Sequence, residues 1–223
     1  MFSYVFMKIL EGRPRSYDKL MEKTSRGRTR QIKEEVASET PEGARVLEIG
    51  CGTGELASML IAKGATVDGF DASPSMIKVA RERIETENLA GKLTVQNMSV
   101  DGMDGYATSN YDAVVSTLVF SELSDDERRF ALKHAHRALK PGGVLVIADE
   151  VVPRTAGRKA LYSMARAPML AVTYLVSKTS TRPIADLAGE MENAGFTIGK
   201  EVRSHGDAFA MVVGRKHNEK EES

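Results

Sequence analysis

The chain holds a single cysteine, Cys51, among 223 residues. That excludes an internal disulfide and any metal site built from several cysteines. Histidine is scarce too, with four residues at 134, 136, 205 and 217 and no H-E-x-x-H spacing of the kind that binds zinc. His134 and His136 lie two apart on an expected helix and so face different sides; no metal is expected. An excess of charge is also missing, because 31 Lys+Arg balance 31 Asp+Glu. This removes the global electrostatic reason to expect nucleic acid or an anionic membrane as the main partner. Long apolar runs are absent as well. "MLAVTYLV" at 169–176 falls far short of the roughly 20 residues that span a bilayer. The opening "MFSYVFMKIL" has no preceding basic residues and no small-residue cleavage site after it, which argues against a signal peptide. The expectation is a cytoplasmic, soluble protein without a transmembrane segment, long enough for one domain with a sizeable core.

What is present is an alternation. Residues 1–43 read as an N-terminal helical lead-in, with Leu20, Ile32 and Val36 at helical spacing, closed by the turn "TPEG". Apolar β-rich runs follow at 45–49, 66–70, 93–96, 111–116 and 144–148, separated by helical segments at 55–63, 74–88 and 125–139. The last of these ends in "LKPGG", where proline and glycine should stop the helix and launch the next strand. A helix at 183–194 ends at "NAGF", and two short strands near 197–202 and 208–214 leave no room for a helix between them. They must pair as a hairpin, so at least one runs against the parallel set. The fold expected is α/β and Rossmann-like: a doubly wound, mostly parallel seven-stranded sheet with an antiparallel C-terminal hairpin. Residues 44–215 form the ligand-binding domain, and the charged tail 216–223 lacks apolar anchors and reads as disordered.

Such sheets bind ligand beyond the carboxyl ends of their strands, at the switch point after the first strand. "VLEIGCGTGE" occupies that place. Gly50, Gly52 and Gly54 give G-x-G-x-G, whereas a dinucleotide loop wants G-x-G-x-x-G, and Glu55 stands where its third glycine belongs. An acid at a helix start would repel a pyrophosphate but not a cationic ligand. The second run ends in "GFDAS", with Asp71 seventeen residues after Gly54. A carboxylate there can accept from two ribose hydroxyls at once; it can equally cap the following helix, with Pro74 as an early helical residue. Cys51, inside the loop, reads as a small packing residue rather than a nucleophile.

"VLEIGCGTG", the acid of "GFDAS", "YDAVVS" and "LKPGG" resemble, in order and spacing, the class I S-adenosylmethionine-dependent methyltransferases over about residues 40–215. The resemblance implies S-adenosyl-L-methionine as cofactor and assigns roles residue by residue. Gly50, Gly52 and Gly54 would pass under its amino-acid part, Glu48 would face its ammonium, and Asp71 would hold the ribose. Ala72 would lie beside the ribose and Met76 over the adenine. Met98 and Ser99 sit where the family often has an acid and a small residue reading the adenine edge; Met98 departs from that pattern, with Asn97 or Asp101 as substitutes. Ser116 would meet the methionine portion. Tyr17 matches an N-terminal tyrosine that folds over the cofactor, where an aromatic face suits a sulfonium, or it packs its helix.

The implied reaction is in-line methyl transfer, which needs alignment and a dry site more than a fixed catalytic constellation. Where the acceptor carries a proton, Glu122 or the pair Asp149–Glu150 could serve as base. Residues 151–183 are too long for a plain connection and read as a substrate lid, a docking surface or a membrane contact; Pro168 argues against one long amphipathic helix. "YVFMKILE", "FSELSDDE", "IADEVVPR" and "VTYLVSKTSTR" together look like the corrinoid protein-associated methyltransferases of anaerobic microbes. That implies a corrinoid protein as partner and a corrinoid-linked acceptor beside a small-molecule one. Quinone-ring C-methyltransferases are the nearest competitor, and one cysteine argues against an arsenite methyltransferase. Two further classes stand beside these: a catalytically silent cofactor-binding module that scaffolds a partner, and a nucleotide-dependent oxidoreductase, disfavoured by Glu55.

Overall fold

The computed structural model describes residues 14–160, 162 and 183–218. Two helices come first, α1 (Pro14–Ser25) and α2 (Arg28–Glu39), separated by Gly27 at φ 80°. α2 buries Ile32, Val36 and Ala37, the inward face that the spacing anticipates. α1 is held more lightly, with Met21 as its buried apolar anchor. Residues 1–13 of the lead-in lie outside the described set.

Then the alternation sets in: β1 (Arg45–Ile49), α3 (Glu55–Ala62), β2 (Thr66–Asp71), α4 (Pro74–Thr86), β3 (Leu93–Asn97), β4 (Tyr111–Thr117), α5 (Asp125–Ala138) and β5 (Leu139–Glu150). α6 (Leu187–Asn193), β6 (Phe196–Ser204) and β7 (Phe209–Lys216) complete it. The seven strands run in the order β3-β2-β1-β4-β5-β7-β6. β1 to β5 pair in parallel, while β7 lies antiparallel to both β5 and β6. This is the expected doubly wound sheet, with β7 as the strand that opposes the rest. The order reverses between β1 and β4, so a crevice opens at their carboxyl ends.

Both faces of the sheet are buried, which is why its central strands are nearly continuous in apolar residues. Val46, Val67 and Val115 pack under α2, α3 and α4. Leu47, Ile49, Val114 and Ile147 pack on the other face with Leu132 of α5 and Met191 of α6. Each fully buried side chain of this size stabilises the fold by about 1.5–3 kcal/mol before entropy is counted. α5 starts at a complete capping box, Ser124 with Glu127, as its sequence allows.

Two boundaries differ from expectation by four residues or more. β5 begins at Leu139, not 144: Leu139 pairs with Tyr111 ahead of a register shift between Tyr111 and Ala113. "PGG" is therefore an irregularity inside the strand, where Gly143 has no room for a Cβ beside the Lys140 and Asp112 carbonyls. α6 begins at Leu187, not 183, because Asp186 caps it by accepting from the Gly189 N–H. Ile184 before it is extended and bridges to Val151.

Of the anticipated lid at 151–183, residues 161 and 163–182 lie outside the described residues. Its two ends are held together: Val152 N–H donates to Ile184 O at 2.9 Å, and Ile184 N–H to Glu150 O at 3.0 Å. Of the anticipated tail, Lys216 closes β7 and donates to Leu139 O, whereas 219–223 lie outside the described residues. No helix among the described residues is long and apolar enough to cross a membrane.

Candidate functional site

The loop after β1 is shaped by what its glycines exclude. A Cβ on Gly50, which stands at φ 72°, would lie 2.2 Å from Val119 Cγ2, so a larger residue cannot fit there. Gly52, at φ 53°, is the opposite case: nothing lies within 4 Å of its would-be Cβ. Its backbone is bare on that side and open to a ligand. Gly54 turns away from the opening to pack against α4 and β3. Cys51 is buried beneath, its N–H bonded to Phe70 O and its side chain filling the gap left by Gly69. Burial pushes its thiol well above the ordinary range, which fits packing and not nucleophilic attack.

Two acids flank this loop. Asp71 ends β2 and accepts from the Gly52 N–H at 2.9 Å and the Ser73 N–H at 2.8 Å. It binds the loop to the start of α4, while Ser73 holds the N-cap position. Glu48 is 2% exposed, and its Oε2 has no hydrogen-bond partner among the described residues. Burial raises its pKa to about 8, opposed by the Lys33 charge and reinforced by Asp71. A buried acid in this state fits a ligand that brings a cation or a strong donor.

These groups line one cavity of about 410 Å³ at the carboxyl ends of the strands, within the usual range for small-ligand sites. Of the residues singled out in the sequence, the cavity brings together Tyr17, Glu48, Gly50, Gly52, Asp71, Ala72, Met76, Met98, Ser99 and Glu122. Gly54, Ser116 and Glu150 are not on its wall. Ser116 is fully buried and donates to Ile49 O at 3.0 Å; the wall there is formed by Thr117, Leu118 and Val119. Leu118 adopts φ 60°, a conformation that costs a branched residue on the order of 1 kcal/mol and clusters at functional sites. Glu150 lies on β5 opposite Phe209. Asp149 is fully buried and accepts from the Ser121 and Glu150 N–H groups, bracing the 3₁₀ turn Phe120–Glu122 that carries Glu122. Asn97 donates to Asp71 O, and Asp101 accepts from the Ser99 hydroxyl; neither side chain is on the cavity wall.

The sequence gives no hint of how the two leading helices are fastened over the loop. Asp18 accepts from Thr53 Oγ1 at 2.7 Å and from Arg83 at 2.6 Å, and Arg83 Nε also donates to Thr53 O at 2.8 Å. Arg15 grips Glu82 through two bonds. Lys33 pairs with Glu55 at 2.6 Å. That last pair corrects one expectation: the Glu55 charge is balanced locally, so the carboxylate left on the cavity wall to oppose a pyrophosphate is Asp71. Helical periodicity can place Asp18 beside Tyr17, but its partners stand 35 and 65 residues away.

Residues 46–143 match the family model described as a methyltransferase domain. The fold is that of the class I methyltransferases. Methyltransferase GfsG of Streptomyces halstedii is 32% identical over 187 residues, covering 83% of this chain and 63% of that protein. Demethylmenaquinone methyltransferase of Chlorobaculum tepidum is 29% identical over 171 residues, covering 68% of this chain and 65% of that protein. The chain thus spans just under two thirds of the length of these curated relatives. An S-adenosylmethionine-dependent methyltransferase from Mesorhizobium loti shares the methyltransferase fold at a TM-score of 0.63 and 19% identity, over 82% of this chain and 96% of that one.

Proposed function

We propose that this chain is an S-adenosylmethionine-dependent methyltransferase acting on a small-molecule or corrinoid-linked acceptor. The observation that carries the reading is Glu48, a buried carboxylate with an unpartnered oxygen on the wall of a cavity beside a bare glycine backbone. When bound, the cofactor supplies a methyl group on a sulfonium that is already a good leaving group.

The residues then have distinct tasks. Glu48 takes the cofactor's ammonium, and the open side of Gly52 lets the amino-acid part lie against the backbone. Asp71 accepts from the ribose hydroxyls while its bonds to Gly52 and Ser73 hold it in place. Met76 and Met98 flank the adenine, and Tyr17 of α1 covers the site with an aromatic face. Glu122, on a turn braced by Asp149, accepts the proton when the attacking atom carries one. The corrinoid context rests on the flanking motifs, and the quinone-ring alternative draws on the demethylmenaquinone relative.

A second reading, a silent cofactor-binding module that scaffolds a partner, draws on the scarcity of bases: Glu150 lies off the cavity wall and Asp149 is committed to the turn. The test is calorimetric titration with S-adenosylmethionine and S-adenosylhomocysteine, followed by assay of S-adenosylhomocysteine release with quinol, phenol and corrinoid-protein acceptors. Absence of binding removes both readings. Release with any acceptor removes the second.

A further inference from the structure

α2 presents two polar side chains to the cavity one helical turn apart, Thr29 and Lys33, as residues four apart must share a helix face. A helical threonine commonly returns its hydroxyl to the carbonyl four residues back; Thr24 does so to Leu20 O at 2.6 Å and Thr40 to Val36 O at 3.0 Å. Thr29 does not. It is 5% exposed, and its Oγ1 has no hydrogen-bond partner among the described residues. A hydroxyl buried in that state is costly unless a partner arrives from the cavity.

Lys33 stands next to it with its Nζ 2.6 Å from Glu55, both side chains largely buried at 13% and 17% exposure. An ammonium has three donors, so one ion pair leaves capacity for a second anion. The remainder of the charged wall is acidic. Glu48, Asp71, Glu122 and Glu127 line the cavity, and Lys33 is the one Lys or Arg among its described lining residues. A zwitterionic ligand is therefore oriented by charge, with its cationic end toward Glu48 and its anionic end toward α2.

Resting on the cofactor reading above, we infer that Thr29 and Lys33 form the subsite for the carboxylate of the cofactor's amino-acid tail. The Thr29 hydroxyl donates to one carboxylate oxygen, and the Lys33 ammonium is shared between the ligand and Glu55. The two poles of the amino acid are then read by different elements, the ammonium by β1 and the carboxylate by α2. Adenosine derivatives that lack the carboxylate lose the second contact and should bind less tightly.

The test is a titration of the purified chain with S-adenosylhomocysteine and with its decarboxylated analogue, which keeps the nucleoside, thioether and amine. Wild type should bind the parent compound more tightly by about thirtyfold or more, given charge-assisted bonds of ordinary strength. Thr29→Val should cost about tenfold on the parent compound and less than about twofold on the analogue. Lys33→Met should cost more on the parent compound than on the analogue, with a smaller loss on both because the Lys33 charge also helps to ionise Glu48. Thermal unfolding of each ligand-free variant separates loss of fold from loss of contact, and Thr29→Val is the milder change because it strands no charged partner. Equal losses on both compounds, or a wild type that does not distinguish them, overturn the subsite and leave the cofactor reading standing. Failure of wild type to bind either compound overturns the cofactor reading itself, and the subsite with it.

Discussion

Replacing Glu48 with glutamine should stabilise the protein at pH 8 relative to pH 5, each measured against wild type. Burial raises the Glu48 pKa from 4.5 to about 8. A carboxyl whose folded pKa lies above its unfolded value favours the fold fully only below the unfolded value, and that contribution is lost as pH rises through the folded one. At about 1.36 kcal/mol per pKa unit, wild type loses about 3–4 kcal/mol from this group between pH 5 and pH 8, and glutamine loses none. Urea unfolding of both proteins at the two pH values reads the difference directly. The same group governs ligand binding. If the ionised form meets the cofactor's ammonium, wild-type affinity for S-adenosylhomocysteine climbs about fiftyfold from pH 6 to pH 8. Close to one proton should leave on binding at pH 7, seen as a binding enthalpy that varies with the buffer's ionisation enthalpy. Glu48→Gln should give a flat profile. A stability gap that does not change with pH, or a wild-type affinity that does not, refutes the reasoning.

Asp71→Ala should keep the fold and lose cofactor affinity on the order of a hundredfold; unchanged affinity by calorimetry would mean the ribose assignment is wrong. Because Asp71 also accepts from Gly52 and Ser73, a stability loss of about 1–3 kcal/mol should accompany it. Gly50→Ala drives a methyl group into Val119 and should cost about 3 kcal/mol in denaturant unfolding. Gly52→Ala meets no atom and should cost about 1 kcal/mol from its backbone angle while impairing binding; equal costs for the two would refute the description of the loop. Asp18→Ala removes the acceptor shared by Thr53 and Arg83 and should lower stability by about 1–3 kcal/mol. Calorimetric melting checks this, and a melting temperature equal to wild type would assign the latch no weight.

Most of the sheet is legible in the chain, because strands buried on both faces must be apolar and the helices between them carry punctuation at their ends. The boundary of β5 is not, since "PGG" marks a break in local terms and only pairing with Tyr111 on β4 draws Leu139 into the strand. α6 starts late for a similar reason: Ile184 is claimed by the bridge to Val151 before helical spacing can act. On the cavity wall, Glu48 and Asp71 are marked by their places at strand ends. Thr29 and Lys33 are not, because an ordinary helical threonine and lysine look alike whether they face solvent or a ligand. The latch through Asp18 depends on contacts between residues far apart in sequence, and periodicity carries no information about those.

The bridge between Val151 and Ile184 has a consequence for how such a protein can change over generations. An excursion whose two ends already touch adds little closure entropy as it grows, about 0.6 kcal/mol for each doubling of length. On closure entropy alone, a change in the number of residues between those anchors costs the fold little.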